Sequence, residues 1–152
     1  PVMRERIFLD CPRDYPTLQG QYSAYDDPKP FPDLRLLEHE RLMMLPPDWR
    51  LSRLLYNTFS VHSVEPQNLL ITTNTTTAIN LAAEKLGFAF LQESGVSRTP
   101  YLDRLACFTV GEPPLTCLLA VVYKKNGFLS PAARTLIDLI RAFYSRYDQG
   151  AE

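Results

Sequence analysis

Apolar and polar residues along this chain fall into blocks of two periods, and the changes of period predict its elements. Residues 6–11 form a short apolar run that Pro12 stops, the pattern of a strand. A proline-rich stretch with turn signals around Gly20 follows, and 32–34 opens a short helical turn. Residues 41–45 read as a second strand, ended by Pro46-Pro47. Asp48 is placed to cap a helix running to about 62. In it Leu51, Leu54, Leu55 and Phe59 make one stripe, while Arg50, Arg53 and Asn57 fall outside it. Residues 67–72 read as a third strand. A helix with Ala78, Ile79, Ala82 and Leu86 on one side follows, then a buried strand over 88–91.

The stretch from 73 to 87 is as long as a parallel crossover requires. Strands 67–72 and 88–91 are therefore expected as parallel neighbours, joined right-handedly. After a polar connection over 94–104, residues 105–110 and 116–123 read as strands around the turn Gly111-Glu112-Pro113-Pro114. Ser130 and Pro131 fit the N-cap and first position of a long last helix. Its apolar stripe is Ala133, Leu136, Ile137, Ile140, Phe143, Tyr144 and Tyr147. The alternation of strands and helices predicts an α/β fold with a mostly parallel sheet flanked by helices.

In such sheets ligands sit outside the carboxyl ends of the strands, at helix N-termini. Two connections meet that description: 46–50, and the run Thr72-Thr73-Asn74-Thr75-Thr76-Thr77. The second has two readings. It is a generous N-cap, or it is a site where hydroxyls, first-turn N–H groups and the helix dipole meet a small anion. At the first connection, Trp49 either packs on its own helix or walls a ligand. Arg50 is either a solvated surface residue or a counter-charge.

Composition narrows the remaining chemistry. The 152 residues carry 16 basic and 17 acidic side chains, a formal net charge of -1, so no basic excess argues for nucleic-acid binding. No apolar run approaches the roughly 18 residues that span a bilayer. The first residues do not read as a signal peptide. The three cysteines, an odd number, lie in or beside apolar runs, as buried thiols in a reducing cytoplasm do. His39 and His62 have no metal-ligand spacing to a cysteine or to each other. No phosphate loop, nucleophile elbow or paired-carboxylate motif is present, so no catalytic residue, metal or cofactor is expected.

One ordered set of residues resembles a known family. It comprises Leu45-Pro46-Pro47 with Arg50, then Phe59, Glu65-Pro66, the run 72–77, and Leu86-Gly87-Phe88-Ala89-Phe90-Leu91. The tail, with Leu129-Ser130-Pro131-Ala132-Ala133-Arg134, and the front, 5–16, match as well. Together they resemble the effector-binding domain of LysR-type transcriptional regulators.

The resemblance implies a periplasmic-binding-protein-like (type 2) lobe. Residues 1–123 would be the second lobe with its hinge strands, and 124–152 a turn and helix returning towards the first lobe. Most of that first lobe is outside this sequence. The effector would be a small molecule, with an anion favoured, held in the cleft between lobes. Pro47, Asp48, Trp49 and Arg50 would face that cleft, with Thr73, Asn74, Thr75 and Thr76. DNA would be bound only through an N-terminal winged helix-turn-helix that this sequence lacks. The implied protein is a cytoplasmic homo-oligomer and not an enzyme. The alternative is a solute-binding or enzyme domain of the same two-lobed fold.

Three departures from the family pattern matter. Lys85 stands where glycine usually stops the helix, and Gln92 stands where proline is usual. The cysteines that oxidant-sensing members carry in and after the loop matching 46–59 are missing, so that mode of sensing is not expected. The apolar stripe of the last helix needs a cover, from this lobe or from another chain.

Overall fold

The computed structural model describes residues 1–18 and 20–145; Tyr147, assigned above to the stripe of the last helix, lies outside them. Two compact units are present, one from Arg6–Leu115 and one from Pro1–Glu5 with the chain from Thr116 onward. The larger unit is built on a sheet. Its strands are β1 (Met3–Pro12, whose first three residues belong to the smaller unit), β2 (Lys29–Pro30), β3 (Arg41–Met44), β4 (Asn68–Ile71), β5 (Phe88–Gln92) and β6 (Leu105–Thr109). Their spatial order is β2-β6-β1-β5-β3-β4. β1 runs antiparallel to both β5 and β6, while the pairs β2–β6, β3–β4 and β3–β5 are parallel.

Strand alternation sorts the core into two faces. Phe8, Met43, Ala89, Leu91, Leu105 and Cys107 share one face with Ala78, Ile79, Ala82 and Ala83 of α2 (Thr75–Ala83) and with Val96 of α3 (Glu93–Val96). The alanines let α2 lie close on the sheet. The alternate residues, among them Ile7, Leu9, Leu42, Phe88, Phe90 and Phe108, are all buried on the other face. On that face α1 (Arg50–Val61) packs on the sheet through Phe59, whose ring lies edge-on to Phe90 at 5.8 Å. Phe31 packs edge-on against both Phe88 and Phe108 at 6.3 and 5.3 Å.

Several expectations change. β4 and β5 are parallel but not neighbours, because β3 lies between them. Burial explains the order: Leu42, Met43 and Met44 of β3 are buried, whereas all four residues of β4 are exposed. A strand that solvates both faces belongs at an edge. The proline-rich stretch contributes β2 at the other edge, where a strand with Pro30 needs no donor on its open side. Asp48 does not cap α1; the N-cap is Trp49, which makes no side-chain cap bond. The polar connection 94–104 includes α3 at its start and a 3-10 turn, Leu102–Arg104.

Both long helices of this unit end in the same device. At the end of α1, Val64 N donates to Phe59 O (2.9 Å) and Ser63 N to Ser60 O (3.2 Å), with Ser63 at φ 54°. At the end of α2, Leu86 N donates to Leu81 O and Lys85 N to Ala82 O, both 3.0 Å, with Lys85 at φ 64°. These paired bonds satisfy the last carbonyls of each helix. Lys85 therefore stops the helix in the left-handed conformation that glycine adopts more cheaply.

The smaller unit contains β7 (Thr116–Leu119), shorter than the strand expected over 116–123, and α4 (Pro131–Tyr144). Val2 N donates to Leu119 O at 2.8 Å. Ser130 caps α4 as expected, accepting from Ala133 N at 3.2 Å, with Pro131 at the first position. Of the apolar stripe of α4, Ile137 is buried, while Leu136 and Phe143 are 58% and 50% exposed.

Candidate functional site

The carboxyl ends of β4, β3 and β5 lie side by side and point the same way. Each leads into a helix: β4 to α2, β3 to α1, and β5 directly to α3. Three helix starts thus crowd one edge of the sheet. Thr72 N donates to Met44 O at 2.9 Å, which fastens the connection after β4 to the end of β3. Ser52 Oγ, fully buried, donates to Leu45 O at 2.8 Å and fixes the start of α1 against the same strand end. Trp49 N closes the turn by donating to Pro46 O at 3.0 Å.

All eight residues expected at the site fall on this edge. Pro47, Asp48, Trp49 and Arg50 are exposed on the connection after β3. Thr73, Asn74 and Thr76 are exposed and Thr75 is half-buried on the connection after β4. Registers Met43↔Leu70 and Met44↔Ile71 make the two connections neighbours.

The threonine run serves partly as a cap. Asn74 Oδ1 accepts from Thr77 N at 3.1 Å, and Thr72 Oγ1 accepts from Asn74 N at 3.2 Å. The side-chain cap thus takes one first-turn donor of α2 and none of α1. First-turn amides and two aligned helix dipoles give this edge a positive local field without a strongly basic composition.

A third contribution to the edge was not apparent from the sequence. Arg6, near the start of the antiparallel β1, reaches the start of α3 and pairs with Glu93 through two bonds, Nε to Oε2 at 3.0 Å and Nη2 to Oε1 at 2.5 Å. The Glu93 carboxylate raises the Arg6 pKa. Arg6 also stacks over Phe8, its guanidinium carbon 5.1 Å from the ring centroid. The two partners are 87 residues apart, and only the antiparallel register Ile7↔Gln92 brings them together.

Cys11 and Cys107 are fully buried, and burial raises both thiol pKa values, opposite to what a nucleophile needs. His39 and His62 are exposed, and His62 is the C-cap of α1. Among the described residues no three His, Cys, Asp or Glu side chains could hold a metal ion. A depression of about 500 Å³ at the opposite edge is lined by Arg13, Asp14, Glu84, Lys85, Asp103 and Arg104. Four of its charges are paired, Lys85 with Asp14 at 2.5 Å and Arg104 with Glu84 at 3.0 Å, and Arg13 donates to the Tyr22 hydroxyl at 2.9 Å. Among the described residues no helix is long and apolar enough to cross a membrane.

Comparison with known proteins agrees with this architecture. The sequence matches the LysR substrate binding domain family over residues 1–145, and the chain belongs to that family. The fold is therefore the periplasmic-binding-protein-like, type 2 arrangement expected above.

Three examples illustrate the solved structures that share the fold. One is the effector binding domain of QuiR in complex with shikimate: 15% identity, TM-score 0.71, 96% of this chain and 64% of that one. Another is the Synechocystis PCC6803 CcmR regulatory domain in complex with 2-PG: 20% identity, TM-score 0.66, 94% and 64%. The third is the BenM effector binding domain with its effector benzoate: 21% identity, TM-score 0.63, 99% and 64%. The chain spans less than two thirds of each of these domains. No curated protein matches the sequence.

Proposed function

We propose that this chain is the ligand-sensing part of a LysR-type transcriptional regulator. It would bind a small, preferentially anionic effector at the edge formed by Pro47, Asp48, Trp49, Arg50, Thr73, Asn74, Thr75 and Thr76. One observation carries the reading: two neighbouring parallel strands deliver two helix N-termini to one edge, and their side-chain caps take only one first-turn N–H. Arg50 stands at the start of α1, where its charge adds to the field of the dipoles. Shikimate and benzoate, in the structures of QuiR and BenM, are small organic molecules, the class of effector proposed here.

In this reading 1–123 form the second lobe with its hinge strands, and 124–152 return towards a first lobe that supplies the other wall of the cleft. The effector acts by binding one lobe arrangement better than another, and the difference shifts the population. DNA is contacted by a winged helix-turn-helix domain of the regulator and not by this chain. The regulator works in the cytoplasm as a homo-oligomer and is not an enzyme. Support for self-association comes from β4, an edge strand whose Leu69, Leu70 and Ile71 are 38%, 37% and 49% exposed.

Changing Thr75 and Thr76 together to valine in the regulator tests the site. Effector response is expected to disappear while DNA binding remains. An unchanged response removes the threonine run from the site.

A further inference from the structure

Asp10 occupies the centre of the sheet in the larger unit. It is 0% exposed, opposite Ala89 on β5 and Cys107 on β6. Among the described residues no N–H or O–H group donates to either carboxylate oxygen, and the weak Cys107 thiol is the donor beside it. Alternation places Asp10 on the face of Phe8 and Cys107, whose cover is apolar. On that face α2 presents alanines and Ile79, β5 presents Ala89, and α3 presents Val96. The titratable side chains near it are few. Cys107 lies beside it, the phenols of Tyr25 and Tyr101 pack against the same cluster, and Arg13 acts on Cys107 from a distance. Cys11 follows it in the chain and faces the other side.

A carboxylate in such a place has neither a cation nor an N–H donor to replace water. Keeping the proton is the less costly state. We propose that Asp10 is a proton-linked element of this unit: it is protonated in the folded sheet, and its ionisation loosens the β5–β1–β6 centre.

Burial pushes the Asp10 carboxyl up to about 7, outweighing the Cys107 thiol, whose hydrogen bond lowers it. The sign follows from proton counting. The folded unit holds a proton that the unfolded chain has already released above its ordinary value of 3.8. The contribution of Asp10 to stability is therefore full below about pH 4 and falls as pH rises towards about 7. Within that window the unfolding equilibrium constant grows by up to about tenfold per pH unit, and above it the loss is complete.

Two measurements on the whole chain decide the matter. In a carbon-13 NMR titration the Asp10 carboxyl signal is expected to stay constant from pH 4 to 6 and to move only near neutrality. A midpoint near pH 4 overturns the proposal. In urea unfolding, the stability of Asp10→Asn relative to the unchanged chain is expected to grow steadily between pH 5 and 7. A constant difference across that range overturns the proposal as well. If Asp10→Asn does not fold, the titration of the unchanged chain still decides.

Discussion

Replacing Gly87 with alanine would drive a methyl group into the backbone that spaces β3 from β5. Gly87 has φ +143°, and a Cβ built there would meet Arg41 O at 2.2 Å and Arg41 Cβ at 3.0 Å. An ordinary C···O contact is about 3.3 Å, so the start of β3 and the residue before β5 would have to part by about 1 Å. The backbone conformation itself costs an L-residue about 1–3 kcal/mol. Forcing a methyl into a packed contact costs about 1–3 kcal/mol more. The obstacle is a main-chain oxygen, which no rotamer change can move aside, so we expect a loss of roughly 4 kcal/mol in all. With a urea dependence of about 2 kcal/mol per M for a chain of this size, the unfolding midpoint should fall by about 2 M.

The assay is equilibrium urea unfolding of Gly87→Ala beside the unchanged chain. The registers Leu42↔Phe88 and Met43↔Ala89 follow directly on this contact, so the variant also tests what positions the candidate edge. A loss below about 1 kcal/mol would show instead that the strands can separate here at little cost.

Further expectations concern the helix ends. Asn74→Ala removes the cap of α2 and should cost about 1 kcal/mol, whereas Asp48→Ala, which removes no cap bond, should cost under about 0.5 kcal/mol. Equal losses in the two variants by thermal unfolding would contradict this assignment of caps. Ser63→Gly relieves a left-handed residue at the end of α1 and should raise stability by about 1 kcal/mol. A destabilised Ser63→Gly protein in the same assay would argue against the helix ending described here.

Much of this architecture was legible from local pattern. The apolar runs located β1, β3, β4, β5 and β6, and the Ser130-Pro131 signal fixed the start of α4. Family resemblance and sheet geometry pointed to the same two connections. What escaped had a non-local cause. The place of β3 between β4 and β5 depends on which strand is covered on both faces, and the crossover length leaves that open. Asp48 had the right residue type for a cap, but the turn closed by Trp49 N and Pro46 O shifts the helix start by one residue. Lys85 argued against a helix stop, yet its bonds to Ala82 and those of Leu86 to Leu81 hold it there. The Arg6–Glu93 pair depends on antiparallel register across 87 positions. Asp10 was read as one residue of an apolar strand, and only the sheet reveals that it is fully buried with no N–H or O–H donor among the described residues.

The most direct test of the central claim is a nitrogen-15 NMR titration of this chain with small organic anions, benzoate and shikimate among them. Anions that bind are expected to shift the backbone amides of Trp49, Arg50, Thr75 and Thr76 first, and Thr75→Val with Thr76→Val is expected to suppress those shifts. Binding that leaves these amides unmoved, and instead shifts Arg13, Lys85 and Arg104 at the opposite edge, would contradict that claim.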